Sequence, residues 1–390
     1  MSAAQAPAPL ATIALHGERC TIAGNERFAL LQGAEGVLLL DLAAAEPVPL
    51  PAPGPWQAGA FDASGQQLWL VDAEGTARGF ALQAAAATRW ADLDGVHEVA
   101  IGIPKLVGDD GRPPRFHDLL LAADGAHLAW SLAAGGDRFA GVHAVASGAE
   151  VAHFELVDTA AMSDGDQPWI AFVGPGAHVV VQVRANAGGL QVLGHDEPGL
   201  MVWDLAARRP ITRFAPYVAD GTPGYALLRD GLAVGTRNGT RTWPIVQWRL
   251  GESAPTVLVP DARGGHFTDL YPDPAGAVLC EWDFEDDDGI LVLDLRGKRA
   301  PITVAAGHAL VGFATAAPGG VLARRADGVL RRFACDTGAA TGELDVGAGF
   351  TVTAARWCAG VPRILAIGSV DRGNRREWQA RLWPVPAAAR

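Results

Sequence analysis

Apolar runs that close on Asp-Leu or on an aromatic residue recur along the chain, each followed by a tight polar linker. The clearest are Val37-Leu38-Leu39-Leu40-Asp41-Leu42, Leu200-Met201-Val202-Trp203-Asp204-Leu205 and Ile290-Leu291-Val292-Leu293-Asp294-Leu295. Weaker copies end near Leu82, Val145, Leu250, Ala334 and Pro384. The residue in the Asp slot falls at 41, 81, 144, 204, 249, 294, 334 and 384, in steps of 40, 63, 60, 45, 45, 40 and 50. Short apolar runs bounded by turn residues read as strands covered on both faces. A repeat of roughly 40–50 residues built from such strands is the spacing of four-stranded propeller blades.

Residues 265–305 serve as the pattern for one repeat. An inner strand over 266–271 precedes the turn Asp273-Pro274-Ala275-Gly276. Strands Val278 to Trp282, Ile290 to Leu295 and Pro301 to Val304 follow. The same cut places repeats near 17–50, 56–94, 97–157, 167–214, 222–260, 265–305, 307–347 and 350–388. The last repeat runs out after its third strand at Trp383, while Ala11-Thr12-Ile13-Ala14-Leu15 is an apolar run with no sheet of its own. Pairing the leftover strand with the incomplete repeat removes an open edge. The expected fold is therefore all-β: one closed propeller domain over 1–390, about eight four-stranded antiparallel blades, its ring closed by the N-terminal strand. The irregular stretch 97–115 leaves seven blades open.

The best-formed repeat contains Gly307-His308, Pro318-Gly319-Gly320, Asp327-Gly328 and Phe333. A second contains Gly265-His266, Asp273-Pro274-Ala275-Gly276, Asp288-Gly289 and Leu293-Asp294. These resemble the WD40 repeat, which opens on Gly-His, carries an Asp-containing turn and closes on Trp-Asp. Trp203-Asp204 is the only true Trp-Asp in a closing slot. The resemblance implies a buried network joining His266 or His308 to Asp288 or Asp327 and a closing Trp. Here Leu293 and Phe333 hold the closing slots and cannot donate, so both histidines are expected to be structural.

Turns between first and second strands are short (62–65, 123–125, 174–176, 318–320), as are those between third and fourth (206–209, 251–254, 296–300). The long segments are blade-to-blade connections (105–115, 158–168, 216–224) or second-to-third-strand loops (184–199, 236–244, 284–289, 371–377). In an antiparallel four-stranded sheet these two kinds leave from the same end. Long, chemically varied loops on one face are where a rigid scaffold places binding residues.

Charge narrows the partner. The net charge is −12, which opposes general nucleic-acid binding. No run of apolar residues reaches the ~18 of a membrane span, and residues 1–9 lack a basic region followed by an apolar one, so a cytoplasmic protein is expected. Cys20, Cys280, Cys335 and Cys358 have no metal-ligand spacing and read as isolated thiols.

The candidate sites lie on the long-loop face. Glu281-Trp282-Asp283-Phe284-Glu285-Asp286-Asp287-Asp288-Gly289 is an acidic loop. Asp286 and Asp288 before Gly289 fit the middle of a calcium loop, but Phe284 occupies the first ligand slot, so they are weak metal candidates. Asp286 and Asp287 read instead as an acidic contact or a solvated turn. Arg372, Arg375 and Arg376 form a basic loop: a docking surface for an acidic partner segment, or charges paired within the protein. Trp243 and Trp169 are candidate interface anchors, with Trp378 beside them, whereas Trp203, Trp248 and Trp282 read as core. No G-x-S-x-G, phosphate-cradling loop or His pair with ligand spacing is present, and no cofactor is expected. The expected function is a non-catalytic scaffold binding a partner protein or peptide through Trp243, Trp169, Asp286, Asp287, Arg372, Arg375 and Arg376. The alternative is a metal-dependent hydrolase or lyase at the central channel.

Overall fold

The computed structural model describes residues 7–15, 19–23, 26–33, 36–52, 54–83, 89–93, 98–101, 114–134, 137–156, 170–183, 199–214, 225–235, 244–260, 268–272, 278–283, 290–295, 299–300, 302–304, 307–314, 319–325, 327–347, 349–373 and 375–385. The chain forms two compact units. One comprises Met1–Ala34, Leu39–Pro47 and Gly265–Arg390, the other Glu35–Leu38 and Val48–Gly264. The described residues contain strands and no helix.

The first sheet is Arg19–Ile22, Phe28–Gly33, Gly36–Asp41 and Glu46–Val48, its third strand divided between the units. Four sheets follow in the second unit. The second sheet is Trp56–Phe61, Gln67–Asp72 and Thr76–Gln83, its fourth position shared by Arg89–Asp92 and Val99–Ala100. The third is Arg115–Leu121, His127–Ala134, Asp137–Ala144 and Glu150–Glu155. The fourth is Ile170–Val173, His178–Val183, Gly199–Asp204 and Arg209–Phe214, and the fifth Tyr225–Leu228, Gly231–Gly235, Ile245–Arg249 and Thr256–Val259. The repeat drawn from residue 97 therefore starts too early. Val99 and Ala100 pair with Ala77 and Thr76, so they finish the second sheet.

In the first unit the sixth sheet is Thr268–Pro272, Val278–Asp283, Ile290–Asp294 and Ile302–Val304. The seventh is His308–Ala314, Gly320–Arg325, Val329–Ala334 and Ala340–Asp345. The eighth is Phe350–Cys358, Arg363–Arg372, Arg375–Pro384 and, as its fourth strand, Ala11–Leu15. Ala11 pairs with Leu382 and Leu15 with Trp378, antiparallel throughout, so the N-terminal strand completes the last sheet. Seventh and eighth sheets are themselves joined, because their first strands pair in parallel at Gly312–Ala355, Phe313–Arg356 and Ala314–Trp357.

Every Asp-slot position falls on a third strand, and the structure shows why the pattern recurs. Asp41 Oδ1 accepts from the amides of Ala43 and Ala44 at 2.9 and 3.1 Å, and Asp204 Oδ1 from that of Ala207 at 2.9 Å. The carboxylate thus satisfies amides in the turn to the fourth strand. The following leucines, Leu42 and Leu205, are buried, and their amides bond back to the carbonyls of Arg27 and Ala177.

A second device was invisible without register. Trp69 lies opposite Gly79, and Trp130 opposite Gly141. A Cβ on Gly141 would stand 2.4 Å from the Trp130 ring, and one on Gly79 2.8 Å from Trp69. Each glycine is the space its indole occupies. Both indoles belong to one core, with Phe116, Leu128 and Leu132, between the second and third sheets.

The short turns abut. In the second unit Asp124 N donates to Pro175 O at 3.2 Å, and a Cβ on Gly174 would meet Leu250 Cδ1 at 2.5 Å. Turns of the third, fourth and fifth sheets therefore share one side. In the first unit Glu26 Oε2 accepts from the amides of Ala359 and Gly360, both at 2.7 Å, linking first-to-second-strand turns of the first and eighth sheets. Within each unit the second-to-third-strand connections of those sheets leave from the opposite end.

The third sheet also holds a buried histidine hydrogen-bonded to an indole. Trp130 Nε1 donates to His143 Nδ1 at 3.1 Å, and His143 is 2% exposed. The acceptor nitrogen carries no proton, so the imidazole is neutral. Burial holds its pKa below 6.5, assisted by His153 and opposed by Glu150. The unfolded chain then binds the proton more readily. The stability this histidine contributes is intact above about pH 6.5 and is lost as pH falls through its folded pKa. His143→Gln retains an acceptor and cannot titrate. Its melting temperature should fall less steeply than that of the parent between pH 7 and 5, and parallel curves would overturn this assignment.

Candidate functional site

The second and third strands of the eighth sheet meet at a two-residue connection, Gly373-Asn374, between Arg372 and Arg375. Gly373 has φ of 70°, the left-handed conformation that such short connections require and glycine supplies. This register sets Arg372 opposite Arg375, Asp371 opposite Arg376 and Val370 opposite Glu377. Arg376 Nε lies 3.7 Å from Asp371 Oδ1, and Arg372 Nε lies 3.6 Å from Glu377 Oε2. All four side chains are exposed, and such pairs contribute little. Arg375 is exposed and has no partner among the described residues.

The segment 371–377, expected as a long loop, is instead the tip of a hairpin, its two strands running to Arg372 and from Arg375, and its three arginines divide. Arg372 and Arg375 occupy one face, whereas Arg376 is on the other beside Asp371. Arg372 and Arg376 make internal pairs within their own hairpin, while Arg375 has none among the described residues.

Alternate residues of a strand share a face, so Arg375, Glu377, Gln379 and Arg381 form one row. Arg381 had not been singled out. Its guanidinium carbon lies 4.1 Å from the centroid of the Phe350 ring, and its Nε and Nη2 donate to Gln379 Oε1 at 3.1 and 3.0 Å. Phe350 is buried, and a Cβ on Gly368 would approach its ring to 3.0 Å. Burial first, then the positive charge of Arg372, holds the Arg381 pKa below its usual value. The contact with Phe350 required the fold.

Nearby basic residues of the seventh sheet differ among themselves. Arg331 pairs with Glu343 at 3.0 Å, Arg325 with Asp327, and Arg332 is buried with its guanidinium carbon 5.4 Å from the Trp357 ring. Arg324 is half-buried with no partner among the described residues, and burial alone lowers its pKa.

The remaining expectations fall out as follows. Trp243, Trp169, Asp286, Asp287 and Asp288 lie outside the described residues, as do His266 and most of the long connections. Trp378 is not a loop residue. It sits within the third strand of the eighth sheet, half-buried, opposite Leu15. Trp248 is core, with Nε1 donating to Glu252 O at 3.1 Å, and Trp203 is half-buried with its ring centroid 5.5 Å from that of Phe154. His308 is buried against Phe333, with ring centroids 5.5 Å apart. Asp327 caps Val329 N at 3.2 Å and pairs with Arg325. Burial pushes the Cys20 and Cys358 thiols up to about 12, so they stay protonated and unreactive near neutrality. Among the described residues no group of three or more His, Cys, Asp or Glu side chains could hold a metal ion.

No protein-family model matches the chain, and no curated protein matches it.

Proposed function

We propose that the eight successive four-stranded sheets are the blades of one WD40-like propeller, closed by its N-terminal strand, and that it is an interaction module binding a partner protein or peptide on its long-loop face. The observation that carries the reading is one-sidedness. Short turns abut within each unit, and the long connections leave their sheets from the other end. A rigid sheet scaffold with its varied loops on one side is suited to recognition. The hairpin of Arg372, Arg375 and Arg376 is at that end of the eighth sheet, and Trp243 and Trp169 fall in or beside long connections of the fifth and fourth.

The test is capture on the immobilised full chain, with bound proteins identified by mass spectrometry. Truncating an anchor Trp in a desolvated contact typically costs ~2 kcal/mol or more. Trp243→Ala, Trp169→Ala and the triple Arg372/Arg375/Arg376→Ala should each reduce capture roughly tenfold or more with little change in melting temperature. Arg208→Ala with Arg209→Ala, in a short turn of the fourth sheet, should leave capture intact. Loss of capture on the short-turn changes, with none on the others, would reverse the face assignment.

A further inference from the structure

The geometry points to a carboxylate-recognition site formed by Arg372, Arg375 and Arg381 that takes an acidic peptide segment of a partner protein; the inference rests on the interaction-module reading. The hairpin tip violates a local rule. Arg372 and Arg375 are direct cross-strand neighbours, and like charges directly opposite each other destabilise a sheet. A two-residue connection imposes no need for arginine on both flanks. Features that break a local rule without visible local gain mark functional positions.

Arg381 adds a second unmatched charge in the same row. Gln379 is a neutral acceptor: it fixes the plane of the guanidinium without cancelling its charge. The Phe350 ring, buried and backed by Gly368, holds the stack in place. The side chain is ordered before any ligand arrives, so less entropy is lost on binding. Arg372 lies on the same face of the hairpin, with a single exposed contact, through its Nε, to Glu377. The terminal nitrogens of Arg372, all of Arg375 and Nη1 of Arg381 have no partner among the described residues. Carboxylates placed on these nitrogens would accept charge-assisted hydrogen bonds, and one set between Arg372 and Arg375 would relieve the repulsion of that pair.

Charge pattern selects the class of anion. The row reads Arg375, Glu377, Gln379, Arg381, with Asp371 and Arg376 on the other face. A continuous phosphate backbone, charged at every step, would meet Glu377 as well as the arginines. An extended acidic peptide presents separate carboxylates, able to reach the arginines while stepping past Glu377.

The probe is a fluorescein-labelled peptide of alternating Asp and Gly, titrated against the full-length chain by anisotropy at low salt and again near physiological salt. Binding should be saturable and weaken with salt. Arg375→Gln, Arg372→Gln and Arg381→Gln should each weaken it about tenfold, as expected for loss of a charge-assisted contact. Arg381→Lys, which keeps the charge but loses the fork and the stack, should weaken it nearly as much. Arg208→Gln with Arg209→Gln should have no effect. Arg375→Gln is exposed and should leave the melting temperature unchanged or raise it, so it carries the test if an Arg381 variant fails to fold. No peptide binding, or binding unchanged in the arginine variants, overturns the site. So does tighter binding of labelled single-stranded DNA of equal charge. Capture of a partner through Trp243 with no peptide binding would leave the module reading standing and remove only this site.

Discussion

Deletion of residues 1–16 should lower the melting temperature by about 3–4 °C and make the protein aggregate. The strand Ala11–Leu15 is the fourth strand of the eighth sheet, paired along its length with Leu382 to Trp378. Leu10 N adds a bond to Leu382 O at 2.7 Å, and Pro7 O accepts from Trp383 Nε1 at 3.3 Å. Trp383 is 1% exposed, and a buried donor stripped of its acceptor costs about 1–3 kcal/mol. Ile13 and Leu15 are half-buried, so their loss forfeits about half of the ~1.5–3 kcal/mol of a fully buried aliphatic side chain. A deficit on the order of 3 kcal/mol moves the midpoint by several degrees even in a large chain. Deletion also exposes the ten-residue strand Arg375–Pro384 as an open edge, the usual template for intermolecular pairing. Differential scanning calorimetry with light scattering checks both effects. Addition of a peptide covering residues 7–16 should restore stability in trans. A truncated chain as stable and monodisperse as the parent would show that the pairing carries little energy.

The sequence disclosed this strand because it was left over: an apolar alternation with no repeat of its own, facing a repeat that lacked one. Third strands were equally legible, since an Asp that caps the outgoing turn and a buried Leu behind it stand at the same place at 41–42 and 204–205, with apolar copies of the run elsewhere. Val99–Ala100 was missed because a two-residue pairing has no periodicity to detect, and its partners Ala77 and Thr76 belong to a strand already matched to Arg89–Asp92. The Trp130–Gly141 pair escaped for another reason. Both residues are ordinary in sequence, and only antiparallel register turns the glycine into the cavity for the ring.

The site followed the same division. Three arginines in five residues were conspicuous, but which of them face each other depends on the two-residue connection. A single-residue slip would have exchanged their partners. Nothing in the local sequence sets Arg381 apart from other polar strand positions. Its significance comes from Phe350, on the first strand of the same sheet, which no local pattern connects to it.

Replacing Gly312 by Ala should be the most damaging single substitution in the seventh sheet. Gly312 follows a bulge in the first strand, with φ of 151°, and its backbone pairs in parallel with Ala355. A Cβ there would stand 1.8 Å from Ala355 O and 2.9 Å from its carbonyl carbon. These are backbone atoms of a paired strand, so no side-chain rotation relieves the clash. The two first strands must separate, which breaks the pairings Phe313–Arg356 and Ala314–Trp357 and opens the core shared by Val311, Ala314, Val352 and Trp357. Gly347 provides the control. It also has positive φ, 86°, but a Cβ there meets nothing within 4 Å. Gly347→Ala therefore reports the conformational penalty alone, about 1–2 kcal/mol. Gly312→Ala adds overpacking, typically about 1–3 kcal/mol and more where the backbone must move. The expected result in urea is a midpoint loss at least twice that of Gly347→Ala. Hydrogen exchange should accelerate at residues 312–314 and 355–357 in the Gly312 variant alone. Equal losses for the two variants would mean that the parallel pairing yields without cost, and that the joint between the seventh and eighth sheets is not set by this glycine.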